Sequence, residues 1–500
     1  MFYSIINYID EMDIKYPNSL AYCDLNKKLT FHQLKENAIC VSLFLERITA
    51  PQKPVIVFMD KGVDAINAML GVLYFGCYYV PIDQKMPKER IQLIMDQLSA
   101  HVVVVDKKTI DDANSLFPDY QIVEYEETIG SQYMRRNLSF MPVCSVDIAY
   151  VLFTSGSTGT PKGVTISHGA LIDFIEWICE KYAIGSEIRL CNQAPFYFDA
   201  SVPDLFIPLK TGGCCYIPPQ SYYLFPAKIM DFIDQYGINT LIWVPSALIN
   251  VIKTRALDVH KPPSIKHLIF CGEVLPVKYL FAWREYYPNI RYTNMYGPTE
   301  ATYACSYYDI PDDFDELEIP IGQACSNCRL ILLDDNNNEI SSENTIGEIC
   351  VQGMCLSNGY YGIDNEDNKA FVQNPNNDNY RDIFYKTGDL AIFSKGTLYY
   401  KGRRDGQIKK NGYRIELGEI ESIVMIIQGI EECCCFFEDN RIWLVYCGGE
   451  KESKIKEILI QKMPKYMIPD EMIRIDKMPH NLNGKIDRIF LKKYCLEGKE

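Results

Sequence analysis

Continuous apolar runs alternate with amphipathic stretches along most of the chain, up to about residue 390. The strings PVIVFM, HVVVVD, NTLIWV and IKHLIFCG are apolar throughout, which is typical of strands buried on both faces of a sheet. Stretches such as ALIDFIEWICEKY have the apolar spacing of an amphipathic helix. The alternation predicts an α/β fold built on largely parallel sheets that are covered by helices.

The pattern changes near the string KGRRDGQIKKNG, which is rich in turn residues. Short strands, an amphipathic helix at KESKIKEILIQKM and a polar tail follow it. A chain of 500 residues also exceeds the size of a single hydrophobic core. We therefore predict a large N-terminal domain over residues 1–404 and a small α+β C-terminal domain over residues 405–500.

Composition and charge narrow the classes of protein. The hydrophobic share of 48% and the charged share of 23% are those of a soluble globular protein. A net charge of −15 argues against a nucleic-acid partner and against adhesion to anionic membranes. The N-terminus lacks the basic and apolar regions of a secretory signal. In AINAMLGVLYFGCYYVPID, Asn67, the glycines and Pro81 favour a buried helix, turn and strand over a membrane span, so we expect a cytoplasmic protein.

The nineteen cysteines do not form a pattern typical of disulfides. Cys433 to Cys435 are consecutive, Cys214 adjoins Cys215, and most of the others lie in apolar runs, where free Cys behaves as a small hydrophobe. The string CSNC is a lone pair without a matching His or Cys cluster, so we predict no zinc site.

The string FTSGSTGTPKG, residues 153–163, is the first candidate for chemistry. It follows the predicted strand DIAYVL and precedes a predicted helix, and its small and hydroxyl residues suit neither element. Such a loop exposes N–H groups and hydroxyls that can surround an anion, and Lys162 adds a positive charge. Taken alone, the loop fits either a phosphate site or an ordinary polar surface loop.

Several strings in a fixed order decide between these readings. FTSGSTGTPKGV, FYFDASV, MYGPTEAT, YKTGDL, GRRDGQIKKNGYRIELGEIE and NGKIDR together resemble the adenylate-forming enzymes. Within that superfamily they are most similar to the amino-acid-activating adenylation domains of nonribosomal peptide synthetases, and the resemblance covers nearly the whole chain. It implies a large multi-sheet N-terminal domain with a small mobile C-terminal domain.

The resemblance implies a nucleotide site for ATP and Mg²⁺. Tyr296 would stack on adenine, Thr299 would bind the α-phosphate, Glu300 would hold Mg²⁺, and Asp389 would accept from the ribose hydroxyls. The other residues implied to bind ATP or AMP are Thr154, Ser155, Gly156, Ser157, Thr158, Gly159, Lys162, Gly272, Gly297, Arg403 and Lys485.

The implied reaction has two steps. ATP and a carboxylate give an acyl-adenylate and pyrophosphate, and a pantetheine thiol then takes the acyl group. Lys485 in NGKIDR would be the catalytic lysine, bridging the carboxylate and the α-phosphate. Asp405 aligns with the family's hinge residue, and Gly412 aligns with the glycine that admits the pantetheine arm.

Asp199 in FYFDASV indicates the substrate class, because amino-acid-activating members pair an aspartate here with the substrate's α-ammonium. The aligned pocket positions are Ala200, Pro203, Ile242, Ile269, Cys271, Met295, Tyr303 and Ala304. Cys271 in FCGEVLP resembles the D-alanine–D-alanyl carrier protein ligases, in which a cysteine narrows the pocket. We expect D-alanine first and another small amino acid next.

The partner implied is a stand-alone carrier protein with a phosphopantetheine arm, although an excised synthetase module is an open alternative. Two other functions compete with this reading. One is an acyl-CoA ligase for a non-fatty acid, and the other is a non-catalytic nucleotide-binding protein. Lys162, Glu300, Asp389 and Lys485 argue against the second, and Asp199 argues against a plain fatty acid.

Overall fold

The computed structural model describes residues 3–130, 143–156, 160–362, 368–374, 376–377, 379–404, 406–480 and 486–497. The strands, in chain order, are β1 Leu20–Cys23, β2 Lys28–Thr30, β3 Pro54–Phe58, β4 Tyr78–Pro81, β5 Val102–Val105, β6 Gln121–Glu124, β7 Ile148–Thr154, β8 Lys162–Ser167, β9 Arg189–Cys191, β10 Cys214–Tyr216, β11 Thr240–Trp243, β12 His267–Cys271, β13 Arg291–Tyr296, β14 Ser306–Asp309, β15 Gln323–Ala324, β16 Cys328–Leu333, β17 Gly347–Gly353, β18 Phe371–Gln373, β19 Ile383–Ser394, β20 Thr397–Arg403, β21 Gln407–Lys410, β22 Tyr413–Glu416, β23 Ile430–Glu438, β24 Arg441–Gly448 and β25 Glu471–Arg474.

The α-helices are α1 Ile6–Lys15, α2 Phe31–Leu45, α3 Val63–Tyr74, α4 Lys88–Met95, α5 Ile110–Leu116, α6 Tyr125–Gly130, α7 His168–Lys181, α8 Val202–Thr211, α9 Pro226–Gln235, α10 Pro245–Lys253, α11 Ala256–Val259, α12 Val277–Tyr286, α13 Leu417–Met425, α14 Glu452–Lys462 and α15 Arg488–Glu497. Short 3-10 helices lie at Asp199–Ser201, Gln220–Leu224, Thr299–Ala301 and Lys465–Met467. None of the helices within the described ranges has the length and hydrophobicity needed to cross a bilayer.

The chain divides into two compact units. The first consists of Met1–Gln84, Leu98–Leu152 and Val164–Gly402, and the second of Lys85–Gln97, Phe153–Gly163 and Arg403–Glu500. The predicted boundary between residues 404 and 405 stays a prediction, because Asp405 lies outside the described residues.

Three sheets form the frame of the first unit. A nine-stranded sheet has the order β15-β14-β13-β12-β11-β9-β10-β1-β2, and its strands from β13 to β1 run parallel. A six-stranded sheet has the order β6-β5-β3-β4-β7-β8 and is parallel from β6 to β7. A five-stranded sheet holds β16 to β20, and its pairs β16–β17, β17–β19 and β18–β19 are antiparallel.

The second unit contains a β21–β22 hairpin and a sheet of β23, β24 and β25. Helices α13 and α14 pack on β23 and β24 through a buried apolar cluster that includes Ile420, Leu444 and Leu459. This part of the chain is α+β, as its sequence predicts.

The predicted α/β fold is confirmed. The strings PVIVFM, HVVVVD, NTLIWV and IKHLIFCG are β3, β5, β11 and β12, which are buried at every position. The string read as a helix, turn and strand rather than a membrane span is α3 followed by β4. All nineteen cysteines are free.

One local prediction is wrong. The loop at residues 153–163 was expected to lead directly into a helix, but β8 lies between the loop and α7. The string KGVTIS of β8 mixes polar and apolar residues, yet Gly163 to Ser167 are buried because β8 continues the six-stranded sheet. A strand whose burial comes from its place in a sheet lacks the continuous apolar run by which a buried strand is recognised in a sequence.

Candidate active site

One wall of the predicted amino-acid pocket comes from three neighbouring parallel strands, β11, β12 and β13. Ile242 pairs in register with Ile269, and Cys271 pairs with Met295. The strand register therefore brings these four side chains into one buried apolar cluster, in which each is at most 4% exposed. Tyr303 and Ala304 belong to the same cluster, and Ala200 packs against it.

Tyr303 reaches this cluster through a strained turn. Thr302 and Tyr303 both have positive φ, at 53° and 75°, which is uncommon for residues with a side chain. The Thr302 hydroxyl holds the turn by donating to the Cys355 carbonyl at 2.6 Å. The Tyr303 ring packs edge-on against Phe174 at 5.5 Å, and the Cys271 thiol donates to the Tyr303 carbonyl at 3.9 Å. The bulk of Tyr303 therefore fills space beside Cys271.

Asp199 begins the 3-10 helix that precedes α8, and its side chain is partly exposed. Burial raises the pKa of Tyr150 and of Tyr303, and the Asp199 carboxylate adds to both increases. The carboxylate therefore lies close enough to both phenols for its charge to act on them. Pro203 follows in the first turn of α8 and is buried.

Tyr296 and Asp389, predicted to bind adenine and ribose, are brought together although they are far apart in sequence. The Tyr296 hydroxyl donates to Asp389 Oδ2 at 2.6 Å, and the residues are 6% and 2% exposed. Burial is the main cause of the raised pKa of Tyr296, and the Asp389 charge adds to it. The Asp389 N–H donates to the Thr387 hydroxyl, so the carboxylate is fixed within β19.

The string YGPTE forms the end of β13 and the following 3-10 helix. A Cβ atom on Gly297 would lie 2.5 Å from the Tyr303 carbonyl oxygen, so only glycine fits there. The next residues include Thr299, which begins the 3-10 helix, and Glu300, which is fully buried. The motif therefore lies directly against the Tyr303 turn. Gly272, after β12, has a φ of 101°, which also favours glycine.

Glu300 is the predicted magnesium ligand. Its Oε1 accepts a hydrogen bond from the Tyr360 hydroxyl at 2.8 Å. Within the described ranges, no group of three His, Cys, Asp or Glu residues is placed to hold a metal ion. One carboxylate fits Mg²⁺ all the same, because this ion is commonly bound by one or two carboxylates together with substrate phosphates and water.

In the second unit, hydrogen bonds hold the described residues of the predicted phosphate loop. The Ser155 hydroxyl donates to the Arg414 carbonyl at 2.9 Å, and the Thr154 hydroxyl contacts the Lys162 carbonyl at 3.5 Å. A Cβ on Gly156 would lie 2.1 Å from the Thr160 carbonyl oxygen, so this position requires glycine. Lys162 begins β8.

The Glu419 carboxylate pairs with Arg90, and the nearby Gly156 N–H favours the charged form of the carboxylate. Both side chains of the ion pair are buried, at 5% for Arg90 and 0% for Glu419. Burial raises the pKa of Glu419 above its usual value, and the Arg90 charge opposes the increase. The pair joins α4 to α13.

Two further predicted residues lie in this unit. Arg403 ends β20. Gly412, with a φ of 82°, follows Asn411 in the two-residue turn between β21 and β22. An Asn-Gly pair with both φ values positive is the usual sequence of such a hairpin, so the turn geometry explains this glycine. Its proposed part in admitting a pantetheine arm stays a prediction.

The remaining predicted residues lie outside the described ranges: Ser157, Thr158, Gly159, Asp405 and Lys485. Their roles stay predictions from the resemblance.

Sequence reasoning missed the polar partners that hold the site residues. Tyr360 and Glu419 are examples, and so are Lys61, Asn192 and Asp204, which bond around the segment leading to Asp199. Each of these residues lies in a different sequence string from its partner or outside all of the strings named above. The one local signal was the charge of Asp204 inside the apolar string VPDLFIPL.

Comparison with known proteins identifies the family. The family model described as AMP-binding enzyme matches residues 11–361. The D-alanine–D-alanyl carrier protein ligase of Staphylococcus epidermidis is 31% identical over 502 residues, covering 97% of this chain and 98% of the relative. The L-proline–L-prolyl-carrier protein ligase of Pseudomonas fluorescens is 30% identical over 503 residues, covering 96% and 97%.

Solved structures show the same fold. The structure of holo-PA1221, described as an NRPS protein containing adenylation and PCP domains, matches with a TM-score of 0.85 at 24% identity. The match covers 98% of this chain and 84% of that one. The family model and the full-length relatives agree with the motifs placed above, and the chain belongs to the AMP-binding enzyme family of adenylate-forming ligases.

Proposed function

We propose that this chain activates a small amino acid as its aminoacyl-adenylate and then transfers it to the phosphopantetheine thiol of a separate carrier protein. D-alanine is the first candidate substrate, and another small amino acid is the next. In the first step, a carboxylate oxygen of the amino acid attacks the α-phosphorus of ATP and pyrophosphate leaves. In the second, the thiol sulfur attacks the acyl carbon and AMP leaves.

The observation that carries the proposal is the position of Asp199, whose neighbour Ala200 packs against the buried apolar cluster. Its charge acts on the phenol of Tyr303, which lies in the buried cluster of Ile269 and Cys271. A cation bound next to this carboxylate gains a charge-assisted contact with it. The α-ammonium of an amino acid supplies that cation, whereas a fatty acid does not.

The residue types at the predicted pocket positions favour a small side chain. Cys271 and Met295 are neighbours in register, and the Tyr303 ring is held against Phe174. These side chains are buried in a single cluster, where their bulk favours a small substrate side chain. The two relatives reported above are named for D-alanine and L-proline, which are both small.

The nucleotide part of the proposal rests on the Tyr296–Asp389 pair and on the phosphate loop. Asp389 would accept from the ribose hydroxyls while the Tyr296 ring contacts adenine. Lys162 and the loop N–H groups would offset the charge of the phosphates, and Lys485 would neutralise the charge that concentrates between the carboxylate and the α-phosphate. Glu300 would hold Mg²⁺, which supplies positive charge to the phosphates.

The deciding experiment is amino-acid-dependent exchange of labelled pyrophosphate into ATP, measured with both enantiomers of the common amino acids. We expect exchange with D-alanine or another small amino acid and none without an amino acid. Exchange that is equally fast with acids lacking an α-amino group would contradict the proposal and favour an acyl-CoA ligase. ATP binding without any exchange would contradict enzymatic adenylation.

The carrier step has its own test. The adenylate is formed in the presence of a phosphopantetheinylated carrier protein, and the carrier is weighed by mass spectrometry. We expect a mass increase equal to one aminoacyl group, removable by hydroxylamine because the bond is a thioester. Loading of coenzyme A but of no carrier protein would contradict the proposed partner.

A further inference from the structure

A buried polar cluster lies beneath the segment that carries Asp199. It consists of Lys61, which follows β3, Asn192, which follows β9, and Asp204 in the first turn of α8. Asp204 is fully buried and Asn192 is as well. None of these residues belongs to the predicted nucleotide or amino-acid sites.

Lys61 and Asp204 hold the same dipeptide from two sides. Lys61 Nζ donates to the carbonyl oxygens of Asn192 at 3.2 Å and Gln193 at 3.1 Å. Asp204 Oδ2 accepts from Asn192 Nδ2 at 2.9 Å. The cation therefore binds the carbonyl oxygens of the dipeptide, and the anion binds the Asn192 side-chain amide.

The dipeptide and Asp204 are the two ends of the segment that contains Asp199. Within this segment the Phe198 N–H donates to the Pro195 carbonyl at 3.1 Å, and the Ser201 hydroxyl donates to the Phe198 carbonyl at 2.7 Å. These two hydrogen bonds close successive turns within the segment, and the second of them spans Asp199. A shift of the dipeptide would move the Asp199 carboxylate.

The cluster is a poor source of stability, which suggests another reason for its presence. Asp204 Oδ1 and Asn192 Oδ1 are buried and accept no hydrogen bond from the part of the chain that the structure describes. Burial raises the pKa of Asp204 and lowers that of Lys61, and each charge opposes the shift of the other. Apolar residues of the same volume commonly match or exceed the stability of such buried charges.

We propose that Lys61 and Asp204 are positioning residues that set the place of the Asp199 carboxylate and thereby the affinity for the amino acid. The inference rests on the proposed function, since it assigns these residues to the amine site of that reaction. The cluster does not touch the substrate. It acts through the backbone of residues 192–204, which it closes into a fixed turn.

The test measures pyrophosphate exchange for Asp204→Asn and Lys61→Met, with separate KM values for the amino acid and for ATP. A displacement of a charged group by about 1 Å costs up to about a hundredfold, so we expect the amino-acid KM to rise by roughly tenfold to a hundredfold. The KM for ATP should stay unchanged. Lys108→Met is the matched control, because Lys108 forms an exposed ion pair with Asp60, the residue next to Lys61.

A double variant separates positioning from a general loss of structure. If Asp204 acts through Asp199, then Asp199→Asn combined with Asp204→Asn should bind the amino acid no more weakly than Asp199→Asn alone. Additive losses would overturn the inference, and so would a parallel rise of both KM values with a lower unfolding temperature. Should Asp204→Asn fail to fold, Asn192→Ala removes only one bond of the cluster and must show the same selective rise in amino-acid KM. Absence of amino-acid-dependent exchange in the wild-type enzyme would instead contradict the proposed function, and the unmodified chain is measured first for that reason.

Discussion

At the scale of single residues, Asp199 is the side chain on which the proposed choice of substrate depends. It stands at the start of a 3-10 helix with its charge acting on two buried phenols, those of Tyr150 and Tyr303. A carboxylate that is held in place beforehand binds an ammonium without a further loss of conformational freedom. The affinity of this carboxylate for an ammonium group therefore depends on residues that the Asp199 side chain does not itself contact.

Replacing this carboxylate should weaken the binding of the amino acid and leave the binding of the nucleotide unchanged. For Asp199→Ala we expect the amino-acid KM to rise by roughly thirtyfold or more, since truncation of one partner of a buried charge pair costs about 2–5 kcal/mol. Steady-state pyrophosphate exchange with each substrate varied in turn measures this. Asp258→Ala, which removes a carboxylate exposed on α11, is the control. An unchanged amino-acid KM in Asp199→Ala would show that this aspartate is only a local cap.

His168 gives a prediction about pH. Its Nδ1 accepts from the Ile5 N–H at 3.3 Å, and burial lowers its pKa from 6.5 to about 4, although Asp147 opposes the decrease. Between these values the unfolded chain binds a proton that the folded chain does not, so stability is fully present above pH 6.5 and is lost as the pH falls toward 4. The loss attributable to His168 should reach about 2 kcal/mol at pH 5.

The measurement compares unfolding of the wild type and of His168→Asn, whose amide oxygen can still accept from the Ile5 N–H, across this range of pH. The variant should be less sensitive to acid. His32→Asn is the opposite control, because Asp13 raises the pKa of His32, so that its contribution is present at low pH and is lost as the pH rises. Equal acid sensitivity in His168→Asn and wild type would contradict a buried neutral His168.

At the scale of elements, α4 and α13 are joined by the buried Arg90–Glu419 pair. Arg90→Met leaves the Glu419 charge buried and unpaired, so we expect a loss of about 3–5 kcal/mol in the free energy of unfolding. Replacing both residues with Met should restore most of the lost free energy of unfolding. As a comparison, Lys462→Met on α14 breaks the exposed pair with Glu89 of α4 and should cost less than about 1 kcal/mol. Chemical denaturation of the variants checks this, and similar losses in the two single variants would contradict the assignment.

The elements also show where sequence reasoning succeeds and where it fails. Strands such as β5 and β12 were predictable because sheets covered on both faces require unbroken apolar runs. The strand β8 was missed because its burial comes from its place in the sheet and not from its own composition. The motif residues of the candidate site could be proposed one string at a time, and their roles stay predictions. Their partners were not, since the contacts Tyr296–Asp389 and Arg90–Glu419 join segments that share no local pattern.

At the scale of the whole molecule, the proposal separates two half-reactions that one chain must perform in turn. Lys485 is expected to serve adenylation and not thioester formation. Lys485→Ala should therefore reduce pyrophosphate exchange by roughly a hundredfold to a thousandfold. Supplied with preformed aminoacyl-adenylate, the variant should still load a carrier protein. A loss of loading as large as the loss of exchange would contradict this division.

Asp405 supplies the complementary prediction. A hinge residue must adopt different backbone angles in the two half-reactions, whereas proline fixes φ near −65° and removes an N–H. We expect Asp405→Pro to keep pyrophosphate exchange and to slow carrier loading. Asp405→Ala, which leaves φ unrestricted, should retain both activities. Loss of both activities in the proline variant, together with a lower unfolding temperature, would contradict the hinge.

The position of β1 inside the nine-stranded sheet has a consequence for synthesis on the ribosome. Residues Leu20–Cys23 lie between β2 and β10, and Tyr22 pairs with Cys215, which is translated about 190 residues later. At roughly 5–20 residues per second, this edge of an apolar strand waits on the order of ten seconds or more for its partner. During that interval the backbone groups of β1 that later bond to β10 can pair with another chain nearby. A factor that covers the emerging N-terminal segment would therefore raise the yield of active enzyme more than one that acts after release.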